Sequence, residues 1–217
     1  MRLITSTILC IASCFAFIGE AKTIRDIFTS EPDNIFLILP SRTRMDMLDY
    51  YDSGNKVAAS NKLSNDDTSS QLIDVADNFI AISLTESNEV DLQLLTPSSS
   101  DSLVVVVNTV MLPAPDSEIS FYDTNWTPVK RKDIFKAPTL KDFIKPKTDK
   151  NKVSELMQII KFPIISYELS AKEPYSLVAH LNIDKFLSTE DWDAVKEYLL
   201  PSISYRFEGK KYRRITK

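Results

Sequence analysis

The stretch NEVDLQLLTPSSSDSLVVVVNTVMLPAPDSEISFYD, residues 88 to 123, decides the fold class. Val90, Leu92 and Leu94 alternate with Asp91 and Gln93, the period-two pattern of a strand with one face in a core. The run from Leu103 to Val107 is apolar at every position, which suits a central strand covered on both faces. Thr96-Pro-Ser-Ser-Ser-Asp101 and Pro113-Ala-Pro-Asp116 supply turn chemistry on either side, and a third strand runs through Ile119-Ser-Phe121. A central strand with antiparallel neighbours follows.

Toward the N-terminus, residues 72–75 and 79–84 form a further hairpin, with Asn78 and Asn88 suited to positive φ at its turns. Thr23-Ile-Arg-Asp-Ile-Phe28 places Ile24, Ile27 and Phe28 on one helical face behind a Thr23 cap. Pro32 opens and Pro40 closes a short helix over 34–39. Residues 44–52 predict another, with Met45, Leu48 and Tyr51 inward and Asp46, Asp49 and Asp52 on a solvated face. Residues 61–70 read as a polar loop.

Toward the C-terminus, residues 124–147 contain Pro128, Pro138 and Pro146 and read as a connection between two units. Thr139-Leu-Lys-Asp-Phe-Ile144 begins the second. Val153, Leu156, Met157 and Ile160 then mark one face of a helix over 149–161. Strands at 164–169 and 176–182 follow, and Ser188-Thr-Glu-Asp191 opens a helix that Pro201 ends. Ile203, Tyr205 and Phe207 alternate into a closing hairpin that turns at Glu208-Gly209-Lys210.

Three patterns recur in the same order. Thr23–Phe28 matches Thr139–Ile144, Ser102–Asn108 matches Ser176–Asn182, and Ile119-Ser-Phe121 matches Ile203-Ser-Tyr205. The expectation is an α+β fold, antiparallel β-sheets flanked by helices, in two related units at 22–135 and 136–217.

Residues 1–21 carry Arg2, an apolar run from Leu3 to Ile18 and small residues at Gly19 and Ala21, the pattern of a secretory signal peptide. A competing cut at Ile11-Ala12-Ser13-Cys14 fits a lipoprotein box and would anchor the chain through Cys14. Both cysteines, Cys10 and Cys14, lie in this leader, so disulfides and thiolate chemistry drop out of a chain cut after Ala21. No second apolar run approaches the roughly 18 residues that cross a bilayer. Expected locations are the periplasm, the outer membrane or the medium.

Charge divides by halves. Residues 22–125 carry 6 basic and 17 acidic side chains, and residues 126–217 carry 19 and 12. Such halves can dock on one another or face different partners.

Known chemistries are mostly excluded. Only Gly54 and Gly209 remain after the leader, too few for a phosphate-cradling loop, and no Gly-x-Ser-x-Gly elbow exists. His180 is the single histidine, so multi-histidine zinc sites are out, and it sits within a strand where a structural hydrogen bond suffices. Glu190, Asp191 and Asp193 around Trp192 could make a carboxylate pair, or simply favour a helix start. No cofactor is expected. The binding candidates are Lys210, Lys211, Tyr212, Arg213 and Arg214, where cations interleave with aromatics; edge-strand protection is the competing reading.

Several segments carry a resemblance. Thr23-Ile-Arg-Asp-Ile-Phe, Met45-Asp-Met-Leu-Asp-Tyr-Tyr-Asp52, Val107-Asn-Thr-Val110, Pro115-Asp-Ser-Glu-Ile-Ser-Phe-Tyr-Asp-Thr-Asn-Trp126, Ser188-Thr-Glu-Asp-Trp192 and Tyr205-Arg-Phe-x-Gly-Lys-Lys-Tyr212 resemble an exported Bacteroidales family, domain of unknown function 3256. The chain departs from that pattern at Met111-Leu112, near which a cysteine is usual. The resemblance implies an envelope location and supplies no activity. The expected function is a non-catalytic binding protein whose partner is an envelope protein or glycan and not nucleic acid. The alternative is a carboxylate-dependent, glycan-active hydrolase.

Overall fold

The computed structural model describes residues 21–54, 59–60, 69–98, 101–130, 132 and 134–215. The helices are α1 (Ile24–Ser30), α2 (Ser41–Asp52), α3 (Leu140–Phe143), α4 (Lys150–Ile159) and α5 (Thr189–Val195). The strands are β1 (Ala59–Ser60), β2 (Ser69–Ala76), β3 (Phe79–Thr85), β4 (Asn88–Leu95), β5 (Leu103–Val110), β6 (Asp116–Tyr122), β7 (Ile165–Leu169), β8 (Ser176–Leu181), β9 (Ser202–Phe207) and β10 (Tyr212–Arg214). Strands β1 to β6 form one antiparallel sheet in sequential order, its first member only two residues long, and β7 to β10 form the second in the same manner. The fold is therefore α+β, two antiparallel meanders with helices, as the alternation predicts.

Strand alternation assigns each side chain to a layer. Val90, Leu92, Leu94, Val104 and Val106 pack under α1 and α2 with Ile27, Phe28 and Leu48. The opposite set, Leu95, Leu103, Val105 and Val107, packs on Tyr167, Leu177, Ile203 and Phe207 of the second sheet. β5 is thus dry on both faces, as its apolar run requires. A third cluster, Leu140, Leu156, Ile160, Val195 and Leu199, joins α3, α4 and α5. Glu168 and Arg206, by contrast, lie exposed on the outer face of the second sheet.

Side chains stitch the sheets together. Gln93 is fully buried and donates from Nε2 to the Ser170 carbonyl at 2.9 Å. Asp116 Oδ1 and Ser117 Oγ accept the N–H groups of Ile165 and Tyr167 at 3.4 and 3.1 Å. Those amides lie on the open edge of β7, where unpaired backbone would otherwise stay exposed to other chains. β4 therefore departs from the one-face reading, because Gln93 and Asp91 point at the second sheet and not at solvent.

Residues 34–39 form turns and no helix. The Glu31 carboxylate accepts the N–H groups of Asn34 and Ile35 at 2.8 and 3.0 Å, and Asp33 takes φ 56°, outside the helical region. α2 begins at Ser41 and turns Arg44, Met47 and Leu48 inward, leaving Met45 54% exposed. Met157 of α4 is also exposed. Asn78 and Asn88 do not adopt positive φ; Gly54 and Gly209 supply it at two turns, and Trp126 does so at another. Residues 1–20 of the signal peptide expected over 1–21, and residues 61–68 of the expected loop, lie outside the described residues.

Thr23 and Thr139 each close a capping box, with Asp26 and Asp142, so the two matching segments share local geometry. The helices they start differ in setting. α1 lies on the first sheet, whereas four-residue α3 belongs to the cluster with α4 and α5.

Arg44 is completely buried between the rings of Phe28 and Phe36, at 6.0 and 5.5 Å from their centroids. It donates to Asp33 Oδ1 at 2.9 Å, to the Leu39 carbonyl at 2.6 Å and to the Glu31 carbonyl. Arg44→Ala strands Glu31, itself only 3% exposed, and is expected to lower unfolding free energy by about 3 to 5 kcal/mol in denaturant titration. Arg25→Ala, which breaks the exposed pair with Asp52, is expected to leave the denaturation midpoint almost unchanged in the same titration.

Candidate functional site

The closing hairpin places the basic residues. Gly209 takes φ 81° at its turn, and Glu208 N–H donates to the Lys211 carbonyl at 2.9 Å. Tyr212, Arg213 and Arg214 then pair with Phe207, Arg206 and Tyr205. β10 ends the sheet, so its other edge is open to a neighbour. The connector fills that place: Tyr212 N–H donates to the Ile134 carbonyl at 2.7 Å.

Aromatic packing fixes the connector. The Phe135 ring meets those of Tyr167, Tyr205 and Tyr212 edge-on, at 5.5, 5.2 and 5.8 Å. Ile134 is buried beside it. With these two residues anchored inward, Lys132 and Lys136 face Lys211, Arg213 and Arg214 across a cavity of about 550 Å³. Tyr205, Asp142 and Pro138 complete its wall.

Five cations therefore line one cleft with a single carboxylate. Asp142 is already committed, because its Oδ2 accepts from Thr139 N–H and Oγ1 at 2.7 and 2.8 Å. Burial raises its pKa, but those hydrogen bonds, with Arg214 and Lys136 nearby, outweigh burial and hold it below the ordinary aspartate value. Arg213 pairs with Glu208 at 2.7 Å, and Arg214 donates to the Asp142 carbonyl at 3.2 Å. Lys132, Lys136 and Lys211 make no ion pair among the described residues.

Four of the five candidates from the sequence, Lys211, Tyr212, Arg213 and Arg214, line this cleft. Lys210 does not; it stands exposed at the turn. Tyr212 serves as an anchor, because its ring is buried against Phe135 and Phe207; its hydroxyl has no partner among the described residues, and burial pushes its ionisation far above the ordinary tyrosine range. The sequence reading missed Lys132 and Lys136. The apolar pair Ile134-Phe135 inside a charged, proline-bounded connector was the available signal, since such a pair must be buried somewhere and drags its neighbours along.

Other candidates sit apart. His180 Nε2 lies 2.8 Å from Glu168 Oε2 on the outer face of the second sheet. Asp191 caps its own helix with Ser188, and Asp193 pairs with Lys196 on the exposed side of α5. A different carboxylate is perturbed: Asp91, placed in register between Ala81 and Val107, is pushed up to about 7 by burial first and then by Glu89 and Glu168. These acids do not form a metal-holding group among the described residues.

The halves do meet, but through the apolar core and hydrogen bonds, with no ion pair between them among the described residues. Every described ion pair joins residues of the same half, as in Arg25–Asp52, Arg44–Asp33, Lys152–Glu155 and Arg213–Glu208. Opposite net charges thus remain on opposite halves.

These features define a two-sheet α+β protein with a basic cleft along one sheet edge. The chain belongs to a protein family of unknown function, DUF3256, whose profile matches residues 17–212. A solved domain of an uncharacterized protein from Porphyromonas gingivalis W83 shares the fold, with TM-score 0.76 and 24% identity over 89% of this chain and 98% of that one. No curated protein matches the sequence. Among the described residues no helix is long and apolar enough to cross a membrane.

Asp91 carries a pH signature. An aspartate whose folded pKa is raised binds protons more tightly in the folded state, so stability falls as pH climbs from about 4 to about 7 and levels off above. Asp91→Asn is expected to remove that fall and to exceed the parent by about 1 to 3 kcal/mol in urea unfolding at pH 8. A parent curve that is flat across this range would remove the assignment.

Proposed function

We propose that the protein is an exported, non-catalytic binding protein of the cell envelope, and that the cleft beside β10 holds an anionic group of an envelope glycan. The leader composition of residues 1–21 supports export. One observation carries the binding reading: two segments distant in sequence bring five cations around a single cavity, and three of those cations have no ion-pair partner there. Like charges gathered in one cleft repel each other, and a bound polyanion relieves that repulsion. The guanidinium groups of Arg213 and Arg214 offer planar donors for carboxylate or sulfate, and the lysines act as point charges. Edge protection alone accounts less well for Lys132 and Lys136, which lie on the connector and not on a strand.

Chromatography on immobilised heparin tests this. The full chain is expected to be retained in low salt and released as ionic strength rises. Reversal of Lys132, Lys136 and Lys211 to Glu together is expected to weaken the interaction at least about tenfold, or about 1.4 kcal/mol. Lys210→Glu, at the turn outside the cleft, should have a much smaller effect. Retention undiminished by the triple reversal would exclude the cleft.

A further inference from the structure

A second cavity, of about 430 Å³, opens where β5 runs into β6. Its apolar walls include Val110, Leu112, Ile164 and Phe186, and its charged residues are Asp116 and Glu118. Val110, Leu112 and Phe186 are 49%, 66% and 40% exposed, and Phe162, 59% exposed, lies 6.5 Å from the Phe186 ring. Four large apolar side chains thus face water around one corner. α1 and α2 cover the sheet over Val104 and Val106, and that cover has ended by Asn108 and Val110, which are exposed.

We infer that this corner docks a peptide segment that presents a large apolar side chain next to a lysine or arginine. An exposed apolar cluster beside a cavity marks a contact surface, and a volume in this range accepts one or two side chains. Charge selects the occupant. No cation lines the cavity, Glu118 has no partner among the described residues, and Asp116 spends one oxygen on the long bond to Ile165 N–H. Lys185, beside Phe186 in sequence, sits at the rim with its ammonium 3.3 Å from the carbonyl of Pro113, a wall residue, and its charge is not paired with Asp116 or Glu118. A wholly apolar ligand would leave the charge of the two exposed rim carboxylates unanswered, and a small polar cation would gain nothing from Leu112 and Phe186. The shelf made by Phe162 and Phe186 extends the surface beyond the cavity, which suits a chain with a second apolar residue two positions on.

The test uses two capped, fluorescein-labelled pentapeptides, Leu-Lys-Phe-Lys-Leu and Leu-Glu-Phe-Glu-Leu, and reads fluorescence polarisation against the full chain. The lysine peptide is expected to bind at least tenfold more tightly than the glutamate peptide. Glu118→Lys and Leu112→Ser are each expected to weaken it at least fivefold, and circular dichroism should show both variants folded because both positions are exposed. Lys211→Glu, in the basic cleft, should leave it unchanged, which separates this site from the anion site. Failure of the lysine peptide to bind, equal affinity for the two peptides, or undiminished binding to both variants would overturn the inference.

Discussion

The structure depends on the removal of water from both faces of β5. Full burial of a valine or leucine side chain is worth about 1.5 to 3 kcal/mol, and residues 103 to 107 offer five such chains in a row. One layer cannot cover both faces, so two are needed. The helices α1 and α2 close one side, and the second sheet closes the other. This doubled cover explains why two meanders with opposite net charge stay together through a shared apolar core.

Two open sheets leave unpaired edges, and side chains or loops finish two of them here. At β7 the open backbone is met by Asp116 and Ser117, side chains of the first sheet, so that edge is consumed by structure. At β10 the open backbone is met by the connector, with Phe135 pinned among three tyrosine rings. The connector brings its lysines with it. A basic cleft thus forms where a sheet edge is finished with a lysine-bearing loop.

Arg44 shows what apolar periodicity cannot reveal. The pattern over 44–52 places Met45 inward because methionine is the more apolar residue. Three backbone carbonyls and two acids, gathered by the end of α1 and the turns at 31–39, need a fork of N–H donors more than the core needs a thioether. The helix rotates to satisfy them. Residues 34–39 stay in turns, with the left-handed Asp33 ahead of them and the Asn34 and Ile35 amides held by the buried Glu31 carboxylate.

Alternation and turn residues alone determined the strands from 72 to 122, the closing hairpin and the helix starts at Thr23, Thr139 and Ser188, because each rests on contacts within a few residues. The sequence also placed four of the cleft residues, Lys211 to Arg214, on the returning arm of one hairpin, three of them in β10. Only tertiary structure decided that Lys132 and Lys136 join them, that Lys210 does not, and that Asp91 and Gln93 face a second sheet in place of water. Those outcomes depend on which edge meets which loop, a choice made by packing between segments 70 or more residues apart, and local periodicity carries no record of it.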